Sequence, residues 1–87
     1  MASYRLSIKP SAAKEIEAIP KKDRLRVIKR INDLSENPRP SGCEKLSGHD
    51  KYRVRQGGYR IVYSVSDKEL IVLVVKVAHR REVYSGI

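Results

Sequence analysis

The sequence KYRVRQGGYRIVYSV, residues 51–65, decides the fold. Polar and apolar residues alternate on both sides of Gly57-Gly58, which is the period of a β-strand with one buried face. Two glycines between such runs are a signal for a two-residue hairpin loop. The stretch therefore predicts two antiparallel strands, Lys51–Gln56 and Tyr59–Ser66, joined by a tight turn.

The tight turn also predicts which side chains share a face of the hairpin. A two-residue loop pairs Arg55 with Arg60, and the pairing continues outward in register. One face is expected to pack under helices and carries Tyr52, Val54, Tyr59, Ile61, Tyr63 and Val65. The other face carries Arg53, Arg55, Arg60, Val62 and Ser64, and no acidic residue is expected on it.

The arginines of this second face favour an anion site. Arg55 and Arg60 are expected to lie directly opposite each other, where like charges destabilise a sheet. A phosphate between them removes the repulsion, and the planar guanidinium group matches phosphate oxygens with two parallel hydrogen bonds. An exposed face with solvated arginines is the alternative, and the opposed pair favours the anion site over it.

The segments before the hairpin predict one strand and two helices. Residues 3–9 alternate and predict a first strand. A helix is expected with Ser11 as its N-cap and Pro20 at its end. A second helix is expected from about Lys21 to Glu36. Its buried stripe is expected at Leu25, Ile28, Ile31 and Leu34, with Val27 beside it.

The segment after the hairpin predicts a central strand. Leu70–Ala78 is apolar except for one lysine, which is typical of a strand buried on both faces. A tight turn at Asp67-Lys68 places Val75 opposite Arg60. The predicted fold is α+β, in the order β-α-α-β-β-β, with a mainly antiparallel four-stranded sheet and two N-terminal helices packed on one face.

The net charge indicates the class of partner. Lys and Arg number 19 against 10 Asp and Glu, a formal charge of +9 over 87 residues that are expected to form a single domain. Such a field attracts polyanions and steers them at long range. Nucleic acid, an anionic membrane or an acidic protein segment is therefore favoured as partner over a charge that serves solubility alone.

The sequence also indicates the compartment. Residues 1–9 do not form an apolar block, so no signal peptide is expected. The longest apolar run, Leu70–Val75, is far too short to span a bilayer. Cys43 is the single cysteine and can form no intramolecular disulfide, so a reducing, cytoplasmic location is expected.

Two long segments resemble a known family. KYRVRQGGYRIVYSV (51–65) and VLVVKVAHRREVY (72–84) are similar to the RelE/ParE superfamily of bacterial and archaeal toxins, and the loop NPRPSGCEKLSG (37–48) and the opening YRLSIKPSAAKEIEAIP (4–20) are similar too. The resemblance implies the toxin of a type II toxin–antitoxin system, in the RelE-like branch. It implies a ribosome-dependent endoribonuclease that cleaves mRNA in the ribosomal A site.

The resemblance also implies partners. These are an acidic cognate antitoxin, the ribosome and mRNA, and operator DNA that the toxin–antitoxin complex binds through the antitoxin. No membrane partner, no metal and no cofactor are expected.

The resemblance assigns roles to individual residues. Activity in the family rests on basic residues of the sheet and on a stacking tyrosine near the C-terminus. The positions that match here are Arg53, Arg55, Arg60, Arg80 and Tyr84. Lys51 and Arg81 are expected to bind RNA. Well-known members carry lysines where Arg53 and Arg55 stand, and arginine stays protonated and transfers protons poorly.

Proton transfer therefore needs another group. Cleavage by attack of the 2′-OH on the adjacent phosphate needs a base, cations for the phosphorane and an acid for the leaving oxygen. His79 is the candidate, because it lies in the terminal motif and titrates near neutrality. A strand-end residue without a role is its alternative. His49, Lys51 and Tyr84 are further candidates, and for Tyr84 the alternative to stacking on a base is a C-terminal anchor.

Two other functions fit the same fold or charge. One is a ParE-like toxin that inhibits DNA gyrase without cleaving anything, and the other is a basic nucleic-acid-binding module without toxicity. The basic sheet face together with the C-terminal tyrosine favours the ribonuclease.

Overall fold

The structure, a computed structural model, describes residues 3–46 and 50–79. Two helices and five strands follow one another in the chain. They are β1 (Arg5–Ile8), α1 (Pro10–Glu17), α2 (Lys21–Asp33), β2 (Glu44–Lys45), β3 (Lys51–Gln56), β4 (Tyr59–Ser66) and β5 (Ile71–His79).

The strands form one mixed sheet in the order β1-β5-β4-β3-β2. β1 runs parallel to β5, and the other neighbours are antiparallel. This confirms the α+β fold with a mainly antiparallel sheet, and it adds a fifth strand, β2, that the sequence did not predict. A strand of two residues, Glu44 and Lys45, is too short to show an alternation.

The β3–β4 hairpin has the predicted register. Gln56 pairs with Tyr59 and Arg55 with Arg60, across the turn Gly57-Gly58. Gly57 has a φ of 59°, a left-handed conformation that glycine adopts without steric strain. The local turn signal was therefore sufficient to fix the pairing of two strands.

The pairing of β4 with β5 differs from the prediction. Arg60 pairs with Ala78, so the predicted pairing of Arg60 with Val75 is wrong. The connection is the four-residue segment Asp67–Leu70, in which Leu70 has a left-handed φ of 56°. A β-bulge then leaves Val75 without a partner on β4 and reverses which side chains of β5 face each side.

Both helices pack on one face of the sheet and close a single core cluster. The helix-facing side chains of the central strands are almost completely buried. They include Val54, Ile61, Tyr63, Val65, Val72, Val74 and Val77. The predicted helix-facing set of the hairpin is confirmed, with Tyr59 only partly buried at its end.

The buried stripe of α2 differs in part from the prediction. Val27, Ile31 and Leu34 are buried, whereas Leu25 and Ile28 are 58% and 38% exposed. A helix turns every ~3.6 residues, so a constant step of three drifts around its surface, whereas alternating steps of four and three stay on one face.

The helix ends also differ slightly from the prediction. α1 begins at Pro10 with Lys9 as its N-cap and without a side-chain cap, so the expected cap at Ser11 is wrong. Proline suits the first helical position because its missing N–H has no intrahelical partner there. α2 ends at Asp33, before the predicted Glu36.

Glu15 attaches α1 to the edge of β5. β1 accompanies β5 only as far as the pair Ile8–Val74, which leaves the outer edge of β5 beyond that point without a strand. Glu15 Oε1 accepts the Val77 N–H at 2.9 Å, and Glu15 Oε2 lies 2.9 Å from Lys76 Nζ. One carboxylate thus satisfies an edge N–H that would otherwise lack a partner.

Candidate functional site

The arginine face is the side of the sheet opposite the helices, at the end near the hairpin turn. It carries Arg53 and Arg55 from β3 and Arg60 from β4. The register places the three residues in two neighbouring rows, Arg55–Arg60 and Arg53–Val62. This is the clustering that the sequence predicted, because the two-residue turn set the register.

Arg55 and Arg60 form the row nearest the turn. They are direct cross-strand partners, with Arg55 exposed and Arg60 only 5% exposed. The next neighbour of Arg60, on β5, is Ala78, which is itself only 2% exposed. Two guanidinium groups in opposed positions repel each other, so an anion bound between them is stabilised by both charges.

Arg53 in the second row has an acidic partner that the sequence did not predict. Its Nη2 lies 3.3 Å from Glu44 Oε1, across the short strand β2. The expectation of a face without acidic residues is therefore wrong. The side chain of Arg53 is 25% exposed, so the ion pair is partly shielded from water. The sequence did not reveal this partner of Arg53, because Glu44 belongs to a two-residue strand.

Lys51 continues the line of cations along β3. It pairs with Ser64 and is exposed on the same face as Arg53 and Arg55. Alternate residues of a strand are about 7 Å apart, so Lys51, Arg53 and Arg55 form an evenly spaced cationic row. Such a row suits a repeating polyanion better than a single small anion.

His79 lies on the other side of the sheet. It pairs with Tyr59, and the two rings meet edge to face with centroids 5.4 Å apart. Both line a cavity of about 360 Å³ together with Glu15 and Ile19, which belong to the helical layer. The structure therefore does not bring His79 together with the arginines. Its imidazole lies instead beside the hairpin turn, where a Cβ added to Gly58 would approach Nε2 within 3.2 Å.

Four candidates lie outside the described residues. These are His49, Arg80, Arg81 and Tyr84. The last three follow His79, which ends β5 next to the hairpin turn. Their assigned roles stay predictions.

Arg39 belongs to a separate, structural cluster. This cluster, the Arg39 corner, is formed by Tyr4, Arg39, Tyr52 and Asp67. Arg39 Nη1 and Nη2 donate to the two Asp67 oxygens at 3.1 and 2.8 Å, and its Nε donates to the Tyr52 hydroxyl at 3.0 Å. The Tyr4 hydroxyl donates to Asp67 Oδ1 at 2.6 Å. The hydrogen bond from Arg39, followed by that from Tyr4, holds the pKa of Asp67 below its usual value.

Tyr63 ties the loop after α2 to the sheet. Its hydroxyl donates to the Pro38 carbonyl at 2.6 Å, and the side chain is completely buried. Burial raises the pKa of the Tyr63 hydroxyl above its usual value. The group therefore stays neutral and structural, and it takes no part in proton transfer.

Neither a metal site nor a membrane span occurs in residues 3–46 and 50–79. No group of three or more His, Cys, Asp or Glu side chains in these ranges could hold a metal ion. None of their helices is long and apolar enough to cross a bilayer.

Comparison with known proteins finds consistent similarity. A family model described as the ParE toxin of the type II toxin–antitoxin system parDE matches residues 6–84. The mRNA interferase toxin RelE of Escherichia coli (strain K12) is 34% identical over 88 residues, which covers 95% of this chain and 92% of that protein.

Solved structures of related proteins have the same fold. The archaeal RelE–RelB complex from Pyrococcus horikoshii OT3 matches with a TM-score of 0.78 and 28% identity, over 90% of this chain and 96% of that one. The isolated E. coli RelE toxin matches with a TM-score of 0.78 and 34% identity, over 97% and 94% of the two chains.

Proposed function

Because the chain belongs to the ParE toxin family of type II toxin–antitoxin systems, we propose that it is the toxin of such a system and acts as an mRNA interferase of the RelE-like branch. It cleaves mRNA in the ribosomal A site, by attack of a 2′-OH on the adjacent phosphate, and it depends on the ribosome for this reaction.

One observation carries this proposal: the opposed pair Arg55–Arg60 on the sheet face opposite the helices. A phosphate that passes through a phosphorane gains negative charge, and two preorganised guanidinium groups stabilise that charge more than the ground state. Arg53 adds a third cation in the next row. The similarity to proteins named mRNA interferases supports the same reaction.

The groups that could transfer protons differ from those that stabilise charge. The arginines stay protonated and serve as electrostatic catalysts. Lys51 lies on the arginine face, whereas His79 is behind the sheet and reaches RNA only where the strand passes the hairpin turn next to Gly58. Tyr84 stacks on a base of the mRNA, and Arg80 and Arg81 add cations that bind its phosphates. Positioning and charge therefore supply most of the rate.

The partners follow from the family and the charge. An acidic antitoxin binds this basic toxin and neutralises it, as the complexes of relatives with RelB support. The +9 charge also suits the ribosome and mRNA. The toxin–antitoxin complex binds operator DNA through the antitoxin, and the toxin acts in the cytoplasm without a membrane partner.

Primer extension on a reporter mRNA tests the proposal, with added protein in a translating extract and with ribosomes present or absent. Cleavage at defined codon positions only in the presence of ribosomes is expected. Arg60→Ala and Tyr84→Ala should each relieve growth arrest at normal expression, whereas Arg26→Ala, an exposed arginine of α2, should not. Full toxicity of the first two variants would contradict the proposed site.

A second candidate function is inhibition of DNA gyrase without cleavage, which the ParE description of the family model favours. A supercoiling assay with purified gyrase distinguishes the two. Growth arrest without any mRNA cleavage, together with loss of supercoiling activity, would replace the ribonuclease with this function.

A further inference from the structure

A groove continues the arginine face away from the hairpin turn. It has a volume of about 330 Å³ and is lined by residues that include Asp50, Lys51, Ser64, Glu69, Ile71 and Leu73. The row Lys51–Ser64 follows the row Arg53–Val62 directly on this face. Groove and arginines therefore form one continuous surface.

The chemistry of the groove is that of a small-molecule site. Ile71 and Leu73 are partly buried and give it an apolar floor. The polar side chains around this floor are those of Lys51, Ser64 and Glu69. Asp50 lines the groove at the end of β3, where its carbonyl accepts the Val65 N–H and its side chain alternates to the helix side. An apolar floor with a few converging polar groups is the usual composition of a ligand site.

The charges favour different parts of an RNA strand in the two parts of the surface: the phosphate at the arginine face and the base in the groove. The arginine face carries three cations, with Glu44 beside Arg53. The groove carries one carboxylate and one ammonium, so it lacks the excess of positive charge that favours a phosphate on the arginine face. A neutral base needs no such excess, and its flat apolar surface suits the floor of Ile71 and Leu73.

The Glu69 carboxylate is held in place by the turn before β5. The Ser66 hydroxyl donates to Glu69 Oε1 at 3.3 Å, and the Glu69 N–H donates to the Ser66 oxygen at 3.3 Å. Within the described residues, Glu69 Oε2 makes no hydrogen bond. A fixed carboxylate oxygen is an acceptor that matches the amino groups of cytosine, adenine and guanine, and uracil has no amino group to offer.

The spacing fits neighbouring nucleotides. Rows on one face of the sheet are about 7 Å apart, since alternate residues share a face. A phosphate bound at the arginines therefore leaves an adjacent base within reach of Lys51, Ser64 and the groove floor.

We propose that this groove is a base-binding subsite that selects the nucleotide next to the bound phosphate and prefers bases with an exocyclic amino group over uracil. The proposal rests on the proposed ribonuclease function and adds to it the source of a base preference. Glu69 accepts a hydrogen bond from the amino group, and Lys51 and Ser64 contact the remaining base edge.

Ribosome-dependent cleavage of mRNA reporters that differ only at the positions flanking the cleavage site tests the subsite. The full-length protein should cleave the best amino-bearing base about tenfold faster than uracil at one of these positions, the contribution of about one charge-assisted hydrogen bond. The variant Glu69→Gln should reduce this ratio to about one to three, because a neutral amide accepts more weakly. Glu69→Gln keeps an oxygen for the Ser66 hydroxyl, so the turn is preserved.

The matched control is Glu36→Gln, which makes the same charge change at an exposed residue after α2 and should keep the ratio of the unmodified protein. Circular dichroism and neutralisation by the antitoxin check the fold of each variant. Cleavage with the same ratio in Glu69→Gln, or cleavage without preference by the unmodified protein, would overturn the subsite alone. Failure of the unmodified protein to cleave any reporter would overturn the proposed function and the subsite with it.

Discussion

Arg39 and Arg55 both lie beside the sheet, yet the partner of Arg39 is an anion and the cross-strand partner of Arg55 is a cation. Arg39 donates to two oxygens of Asp67 and to the Tyr52 hydroxyl, so the fold itself uses its hydrogen bonds. Arg55 is exposed and faces a second guanidinium, that of Arg60. The first arrangement stabilises the folded chain, whereas the second places two cations in one cross-strand row, where a bound anion is stabilised by both.

Arg53 is intermediate between these two cases. It lies on the arginine face with Arg55, but one side of its guanidinium group is paired with Glu44. Residue type and exposure alone do not distinguish Arg39, Arg53 and Arg55. The charge opposite each guanidinium group decides whether the arginine serves folding or binding. Substitutions at the two regions should therefore separate activity from stability.

The largest effect is expected from the arginine face. Arg55→Ala and Arg60→Ala should each reduce cleavage about 10²- to 10³-fold, the usual effect of removing one preorganised donor from a charged transition state. Thermal unfolding should change little in Arg55→Ala, because its exposed charge faces another cation. Single-turnover cleavage on programmed ribosomes measures the rate, with Arg26→Ala as the matched control. A rate within a factor of three of the unmodified protein would contradict the division of roles.

The opposite behaviour is expected in the structural region. Tyr63→Phe removes the hydroxyl that donates to the buried Pro38 carbonyl. An unsatisfied buried acceptor should lower the free energy of unfolding by about 1–3 kcal/mol. Urea unfolding measures this loss, and the cleavage rate of the folded variant should stay unchanged. A variant that keeps its stability but loses cleavage would reverse the comparison.

The Arg39 corner should give a smaller, pH-dependent effect. The pKa of Asp67 is lowered in the folded chain by Arg39 first and by Tyr4 second. A carboxyl group with a lowered folded pKa contributes stability above its unfolded pKa of about 3.9, and loses that contribution as the pH falls through the folded pKa. The stability difference between the unmodified protein and Asp67→Asn should therefore shrink below about pH 4.

Unfolding curves measured from pH 6 to pH 2 test this sign, and the control is Asp33→Asn in α2. A stability difference that grows as the pH falls would contradict the lowered pKa of Asp67. Cleavage at pH 7 should be the same in both variants, because neither carboxylate lies on the arginine face.

The sequence was sufficient for the hairpin and insufficient for the strand next to it. A two-residue turn fixes a register by counting, so the pair Arg55–Arg60 could be predicted. β5 depends on the four-residue turn and on the bulge at Val75, which local patterns do not signal. The bulge also decides the position of His79: the extra residue shifts it from the arginine face to the helix side. Glu44 was missed because its two-residue strand is too short to show an alternation.

The smallest effect is expected at Glu44, the acidic partner of Arg53. Glu44→Gln removes the charge opposite Arg53 and leaves the Arg53 guanidinium group available to phosphate. An exposed ion pair contributes up to about 1 kcal/mol, so the affinity for a short RNA should rise by about two- to fivefold at low salt. The salt dependence of binding should become steeper by at most about one released counterion. Fluorescence anisotropy over a salt series measures both quantities, with Glu36→Gln as the control. An unchanged affinity and slope would mean that Arg53 already binds phosphate with Glu44 in place, and Arg53 would then belong with Arg55 rather than between it and Arg39.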